Sequence, residues 1–230
     1  AYPLRDPHLN HGFEQLLREP GAIAQDPYLE GTQPYQAGAS LQQLVKEGVL
    51  HPGLLKMFHP TRPLYAHQER AIRSTVQDGE SIVVATGTGS GKTECFLIPM
   101  MNHLLTHRAR GMQALILYPM NALVNDQVKR LRQLLCHQDD VPELIRFGFY
   151  TSRTPTKQEE AIAVLRSELE ATDPDELRAL LTQEEQKRLQ GCRLPELVEA
   201  ALQRVMRVQV LSRQQIWENP PQILVTNYSM

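Results

Sequence analysis

The sequence predicts an α/β fold, a parallel sheet with flanking helices, on three observations. Short apolar runs at 81–85, 113–118, 145–150 and 222–226 have the length of strands buried on both faces. Segments of helical period separate the first three runs, and strand, helix, strand, helix, strand is the order that builds a parallel sheet. A glycine-rich turn, Ala85–Thr93 (ATGTGSGKT), joins the first run to the first helix after it.

Residues 1–63 are rich in Pro, Gly and His, with short helical pieces at Phe13–Arg18 and Leu41–Glu47. They read either as an irregular N-terminal region or as a small helical domain. Ala66–Val76 reads as a helix and Ser81–Ala85 (SIVVA) as the first strand. Lys92–His107 is apolar at helical spacing, with a kink expected at Pro99. Gln113–Tyr118 (QALILY) is the second strand, Pro119 closes it, and Asn121–Leu135 is an amphipathic helix. Ile145–Tyr150 (IRFGFY) is the third strand.

The alternation then stops. No strong strand candidate lies in 151–218, and this stretch reads as a helical insertion. Thr156 with Glu159, Asp173 with Glu176 and Thr182 with Glu185 have capping-box spacing. A fourth helix is expected over Pro195–Val210, with Leu197, Val198, Ala201, Leu202, Val205 and Val208 on one face. Ten Lys/Arg against twelve Asp/Glu in the stretch fit a solvated helical face better than a basic clamp. The parallel pattern returns at 219–230, with Gln222–Thr226 (QILVT) as the fourth strand.

A net charge of −2 gives no bulk signal for nucleic acid or membrane, so any such surface must be local. Cys95, Cys136 and Cys192 are odd in number and far apart, which argues against a zinc site or a disulfide framework. They fit a reducing compartment, and with no bilayer-length apolar run and no signal-peptide pattern the expectation is a cytoplasmic protein without membrane contact. The chain starts on Ala1, so a longer parent chain is expected.

The glycine-rich turn carries chemistry. A strand, a glycine loop and a helix N-terminus place backbone N–H groups around an anion, with the helix dipole adding partial positive charge. Gly87, Gly89 and Gly91 keep side chains away from phosphate oxygens, with Thr88 and Ser90 between them. Lys92 can reach the outer phosphates, and the Thr93 hydroxyl suits Mg²⁺. ATP with Mg²⁺ is therefore the expected ligand. The strict pattern G-x-x-x-x-G-K-[ST] is broken at its first position, where Thr86 stands, but G-S-G-K-T is intact. A glycine-rich turn that holds nothing is the plain alternative, and the strand–helix context argues against it.

Four more segments occur in a telling order: Leu64–Ile72 (LYAHQERAI) before the loop, then Tyr118–Gln127 (YPMNALVNDQ), Phe149–Thr154 (FYTSRT) and Val225–Met230 (VTNYSM), each at a strand end. Alone, each also fits an ordinary turn or helix face. Together the chain resembles the first RecA-like domain of a superfamily 2 (DExD/H-box) helicase, over 64–150 and 220–230. The resemblance implies that Gln68 reads the adenine edge with Tyr65 as a stacking partner. It implies that Pro119, Asn121 and Gln127 grip a nucleic-acid backbone, with Arg153, Thr226 and Asn227 at neighbouring strand ends. Met120 and Asn121 replace the more familiar Thr and Arg-Glu of the first grip motif.

TGTGSGKTECF, YPMNALVNDQ and TNYSM look more narrowly like large bacterial helicases of DNA repair or anti-phage defence systems such as DISARM and Druantia. That resemblance implies a DNA partner in preference to RNA, a second RecA-like domain in the same chain, and further defence-system subunits. The 151–218 insertion has no counterpart in minimal DEAD-box proteins. No DExH box is present, and Asp139–Asp140 and Glu184–Glu185 are poor substitutes for it. The expectation is the ATP-binding part of a nucleic-acid-dependent ATPase, inactive alone. A double-strand translocase and a non-hydrolysing ATP-binding scaffold are the alternatives.

Overall fold

The structure is a computed structural model and describes residues 6–19, 21–22, 34–87, 89–107, 109–138 and 144–228. Residues 1–35 form one unit and residues 36–230 another. The first holds helix α1 (Pro7–Arg18), whose N-cap Asp6 accepts from the His8 and Leu9 amides.

The larger unit begins with strand β1 (Ala37–Ser40), helix α2 (Leu41–Lys46), a 3₁₀ turn at Pro52–Lys56, strand β2 (Pro63–Tyr65) and helix α3 (Ala66–Val76). β1 and β2 pair antiparallel. Glu69 on α3 accepts from the Ala39 amide (2.7 Å) and from Arg73 (2.9 Å). These contacts, the Ala39 bond first, hold its carboxyl below the ordinary carboxylate range.

Helix α4 (Lys92–His107), strand β3 (Ala114–Tyr118), helix α5 (Asn121–Leu135) and strand β4 (Phe147–Tyr150) follow. α4 runs unbroken through Pro99. Four helices come next: α6 (Gln158–Glu170), α7 (Pro174–Arg178), α8 (Gln183–Arg188) and α9 (Leu194–Val208). Strand β5 (Gln209–Val210), helix α10 (Arg213–Glu218) and strand β6 (Ile223–Asn227) close the chain.

β3, β6, β4 and β5 form, in that order, one parallel sheet. β6 is paired on both sides, Ile116 with Val225 towards β3 and Phe149 with Val225 towards β4. Because the strands are parallel, Tyr118, Asn227 and Tyr150 end at one edge of the sheet. This is the α/β sheet with flanking helices that the alternating pattern predicts.

α9 is the most regular of the four helices between β4 and β5. Its stripe of Leu197, Val198, Ala201, Leu202, Val205 and Val208 is buried, as 3.6-residue spacing requires. It packs on α6, α7 and α5, and Leu131, Leu135, Leu165, Leu169 and Phe147 belong to the same apolar cluster. Polar links reinforce this. Arg132 on α5, 5% exposed, donates to Gln209 (2.7 Å) and to both Glu168 oxygens. Arg204 on α9 holds Glu185 through two bonds and reaches the Cys136 carbonyl.

Several sequence expectations are corrected. Ser81–Ala85 is not a paired strand, and Val83 is 97% exposed. An apolar run becomes a strand only when a neighbour takes its N–H and C=O groups, and none does so here among the described residues. β3 shows the same lack on its outer edge, where Leu115 and Leu117 are 55% and 54% exposed. α9 stops at Val208, because Gln209 and Val210 pair with β4 instead. α6 starts at Gln158 behind Lys157 with no side-chain cap, so Thr156 does not cap it. Asp173 and Thr182 do cap their helices. α10, not anticipated, is capped by Ser212 with Gln215 three residues on.

Leu202 is 1% exposed in the centre of the α9 stripe. Leu202→Ala is expected to lower the unfolding free energy by about 2–5 kcal/mol. Urea titration followed by circular dichroism reads this as an earlier midpoint of one transition for helices and sheet together.

Candidate functional site

The glycine-rich turn has the backbone that its residues dictate. Gly89 (φ +76°) and Gly91 (φ +75°) are left-handed, a conformation that L side chains rarely adopt. The space where a Gly89 Cβ would stand is open. Ser90 is buried, its Oγ 2.6 Å from Thr86 Oγ1 and its carbonyl 2.9 Å from His67 Nε2. Lys92 folds back onto the turn, Nζ donating to the Thr86 and Gly87 carbonyls at 2.7 Å each. Thr93 follows in the first turn of α4. Thr88 lies outside the described residues. An ammonium held by two neutral carbonyls over an open glycine turn fits a phosphate, whose charged oxygens are the stronger acceptors.

Gln68, 5% exposed, is the strut behind the turn. Its Nε2 donates to the Gly91 carbonyl (2.9 Å), and its Oε1 accepts from the Tyr65 amide (2.8 Å). Both ends of the amide are thus engaged. The Tyr65 ring stacks on His67 with centroids 5.7 Å apart. Beside them lies a cleft of about 190 Å³ lined by Phe58, His59, Arg62, Tyr65, Gln68 and Gly91 among others. Sites that enclose drug-sized ligands run about 300–1,000 Å³. This cleft is smaller than that range and opens beside the turn at Gly89 and Gly91. A larger cleft of about 800 Å³ lies elsewhere, between α4 and the segments carrying Val49, Ile82 and Ala114.

A second group sits where the parallel strands end. Asn227 Nδ2 donates to Asn121 Oδ1 at 2.5 Å, joining residues 106 apart in sequence. Thr226 Oγ1 donates to the Tyr150 carbonyl, also at 2.5 Å. Pro119 is exposed and Asn121 half-buried. Arg153 is exposed, with no ion pair among the described residues. Gln127 is set apart, 4% exposed, with its Oε1 taken by the Tyr118 hydroxyl at 3.1 Å. The edge therefore offers Pro119, Asn121 and Arg153 outward, while Gln127, Thr226 and Asn227 lie behind them. Ser229 and Met230 lie outside the described residues.

Glu94, in the first turn of α4, is ion-paired with Arg130 on α5. α4 opens from the glycine turn and α5 from the strand-end asparagine pair, so this bond ties the two groups together. Sequence reading missed it, since nothing in a linear pattern pairs positions 36 apart. It also missed His67, although its place beside Gln68 is a usable signal. Burial pushes Cys95 up and Cys136 to about 12, and a hydrogen bond to Glu196 followed by burial raises Cys192. No group of three or more potential metal ligands occurs among the described residues, and no helix is long and apolar enough to cross a membrane.

Residues 65–200 match the family model described as DEAD/DEAH box helicase. The chain is 38% identical over 175 residues to the Druantia protein DruE of Escherichia coli, covering 67% of this chain and 10% of that protein. It is 40% identical over 72 residues to the uncharacterized ATP-dependent helicase YprA of Bacillus subtilis, covering 31% of this chain and 9% of that one. The chain thus spans about a tenth of the length of these relatives. Among solved structures it is similar to the DUF1998 helicase MrfA bound to DNA and AMPPNP, with 19% identity, a TM-score of 0.37, and coverage of 85% of this chain and 27% of that one.

Gly91 tests the turn. An alanine there would take a strained φ, costing about 1–2 kcal/mol, and its Cβ would overlap the Gln68 amide. Gly91→Ala is expected to weaken binding of a fluorescent ATP analogue at least tenfold, read by titration of the full-length protein.

Proposed function

The chain belongs to the DEAD/DEAH box helicase family, and on that premise we propose that it is the ATP-binding part of a nucleic-acid-dependent ATPase in a longer superfamily 2 protein. The observation that carries the reading is the Glu94–Arg130 pair. It joins the helix leaving a phosphate-type turn to the helix leaving the strand-end asparagines, so an event at one group is felt at the other. On this reading residues 64–150 and 219–230 belong to the RecA-like domain, and 151–218 are an insertion within it.

Each group takes a role. Gly89, Ser90 and Gly91 would wrap the phosphates, and Lys92 would exchange the Thr86 and Gly87 carbonyls for phosphate oxygens. The Thr93 hydroxyl holds Mg²⁺, which together with ATP supplies the transferable phosphoryl group and a neutralising charge. Tyr65 and Gln68 border the base. For Gln68 to read adenine its amide must give up the Gly91 carbonyl or the Tyr65 amide, which would make the base a switch on the turn. Pro119, Asn121 and Arg153 face a sugar–phosphate backbone, with Gln127, Thr226 and Asn227 shaping that edge from behind. Such contacts hold a strand without reading sequence.

Glu94, next to Thr93, is ion-paired with Arg130 through one of its oxygens. We assign the water-activating carboxylates to chain beyond residue 230, and the arginine finger to a second RecA-like domain. Single-stranded DNA is the expected track, in a defence or repair setting, and cytoplasmic. The match to the Druantia protein over two thirds of this chain supports the setting.

Two measurements test the proposal. The isolated 230-residue chain is expected to show almost no ATP turnover, and robust turnover that Lys92→Ala abolishes would overturn the assignment of the missing groups. In the full-length protein single-stranded DNA is expected to raise the ATPase rate more than RNA does. No stimulation by either strand would favour a non-hydrolysing or double-strand-specific reading, and Gln68→Ala is expected to narrow the preference for ATP over GTP.

A further inference from the structure

The loop after β4 carries Arg153 outward, and its shape depends on a residue from the far end of the helical stretch. Within the loop, Thr154 donates its amide to the Thr151 carbonyl (3.1 Å) and its hydroxyl to the Phe149 carbonyl (3.1 Å), and Thr151 and Thr154 are each 3% exposed. The Thr151 amide also donates to Thr154 Oγ1 (2.9 Å) and the Arg153 amide to Thr151 Oγ1 (3.2 Å), and none of these bonds uses the Ser152 carbonyl. Arg213, first residue of α10, reaches that carbonyl. One guanidinium nitrogen donates to the Thr151 carbonyl (2.9 Å) and the Ser152 carbonyl (3.2 Å), and the group lies over the Tyr150 ring, 5.3 Å from its centroid. The Arg213 and Gln214 amides donate to the Pro155 and Thr156 carbonyls. Arg213 Nε is buried without a partner. That cost is tolerated only because the carbonyl bonds and the ring contact fix the side chain here.

We infer that Arg213 is a positioning residue for the nucleic-acid edge, holding the 151–154 loop so that Arg153 meets the strand. The inference rests on the nucleic-acid reading proposed above and gives the 151–218 stretch a part in it. The stretch returns to the sheet at β5, and its last turn braces the loop from which it departed. A guanidinium suits the task, because its Nη2 bonds the two carbonyls while its central carbon lies over the Tyr150 ring, a reach that the compact ammonium of a lysine matches less well.

The test is a double-mutant cycle in the full-length protein, with binding of a fluorescent single-stranded oligothymidylate read by anisotropy. Arg213→Ala is expected to weaken binding about tenfold, the worth of a lost charge-assisted hydrogen bond. Arg153→Ala is expected to weaken it comparably, and the double variant little further, because Arg213 acts through Arg153. Arg213→Lys should fall between wild type and Arg213→Ala. Affinity unchanged in Arg213→Ala, or losses that add in the double variant, would overturn the inference. Binding of a fluorescent ATP analogue shows that the variants are folded, and should Arg213→Ala not fold, the same cycle is run on Arg213→Lys. A wild-type protein that binds neither DNA nor RNA strands would instead remove the nucleic-acid reading itself, and this inference with it.

Discussion

β3 has no hydrogen-bonded neighbour among the described residues except β6, and β4 reaches β3 only through β6. One of the two inner strands of the sheet, β6, is therefore the last of the described strands. Everything at the strand-end edge depends on its two ladders. They set Asn227 against Asn121 and Thr226 against the Tyr150 carbonyl. Parallel pairing carries every strand's C-terminal end to one side, which gathers these groups at one edge. The ladder is the expensive part of the fold in entropy, since it closes loops of more than seventy residues. The buried Phe147, Ile223 and Val225 along it, each worth about 1.5–3 kcal/mol, offset that cost.

The arginines divide the remaining work. Arg130 joins α5 to α4, Arg132 joins α5 to α6 and β5, Arg204 joins α9 to α8, and Arg213 joins α10 to the loop after β4. Two of these arginines, Arg130 and Arg132, stand on α5. α5 also starts at Asn121. The helix thus carries Asn121 at one end and ion pairs to α4 and α6 along its length. Guanidinium groups suit such joints because each reaches two acceptors in one plane. The same geometry explains why the helical stretch between β4 and β5 shares the apolar core of the sheet and does not stand off from it.

Much of this was legible beforehand. α3 over Ala66–Val76, α4, α5 and the strands at 114–118, 147–150 and 223–227 follow from apolar period and length. The turn at Gly89 and Gly91 follows from glycine spacing. The misses share one cause. Ser81–Ala85 has strand composition but no neighbour, Gln209–Val210 has helical spacing but a neighbour in β4, and Arg213 looked like one charge among many on a solvated face. In each case the deciding partner lies far along the chain.

Local chemistry alone decided that this chain has a phosphate-type turn ahead of a helix and an α/β alternation that places more candidate groups at strand ends. Those properties belong to short segments, where φ preference, side-chain period and capping act within a few residues. Tertiary structure alone decided which groups meet. It turned Lys92 onto Thr86 and Gly87, engaged both ends of Gln68, buried Gln127 behind Tyr118, and set Arg213 beneath the loop of Arg153. Those outcomes depend on strand pairing and packing between residues tens of positions apart, which no local pattern records.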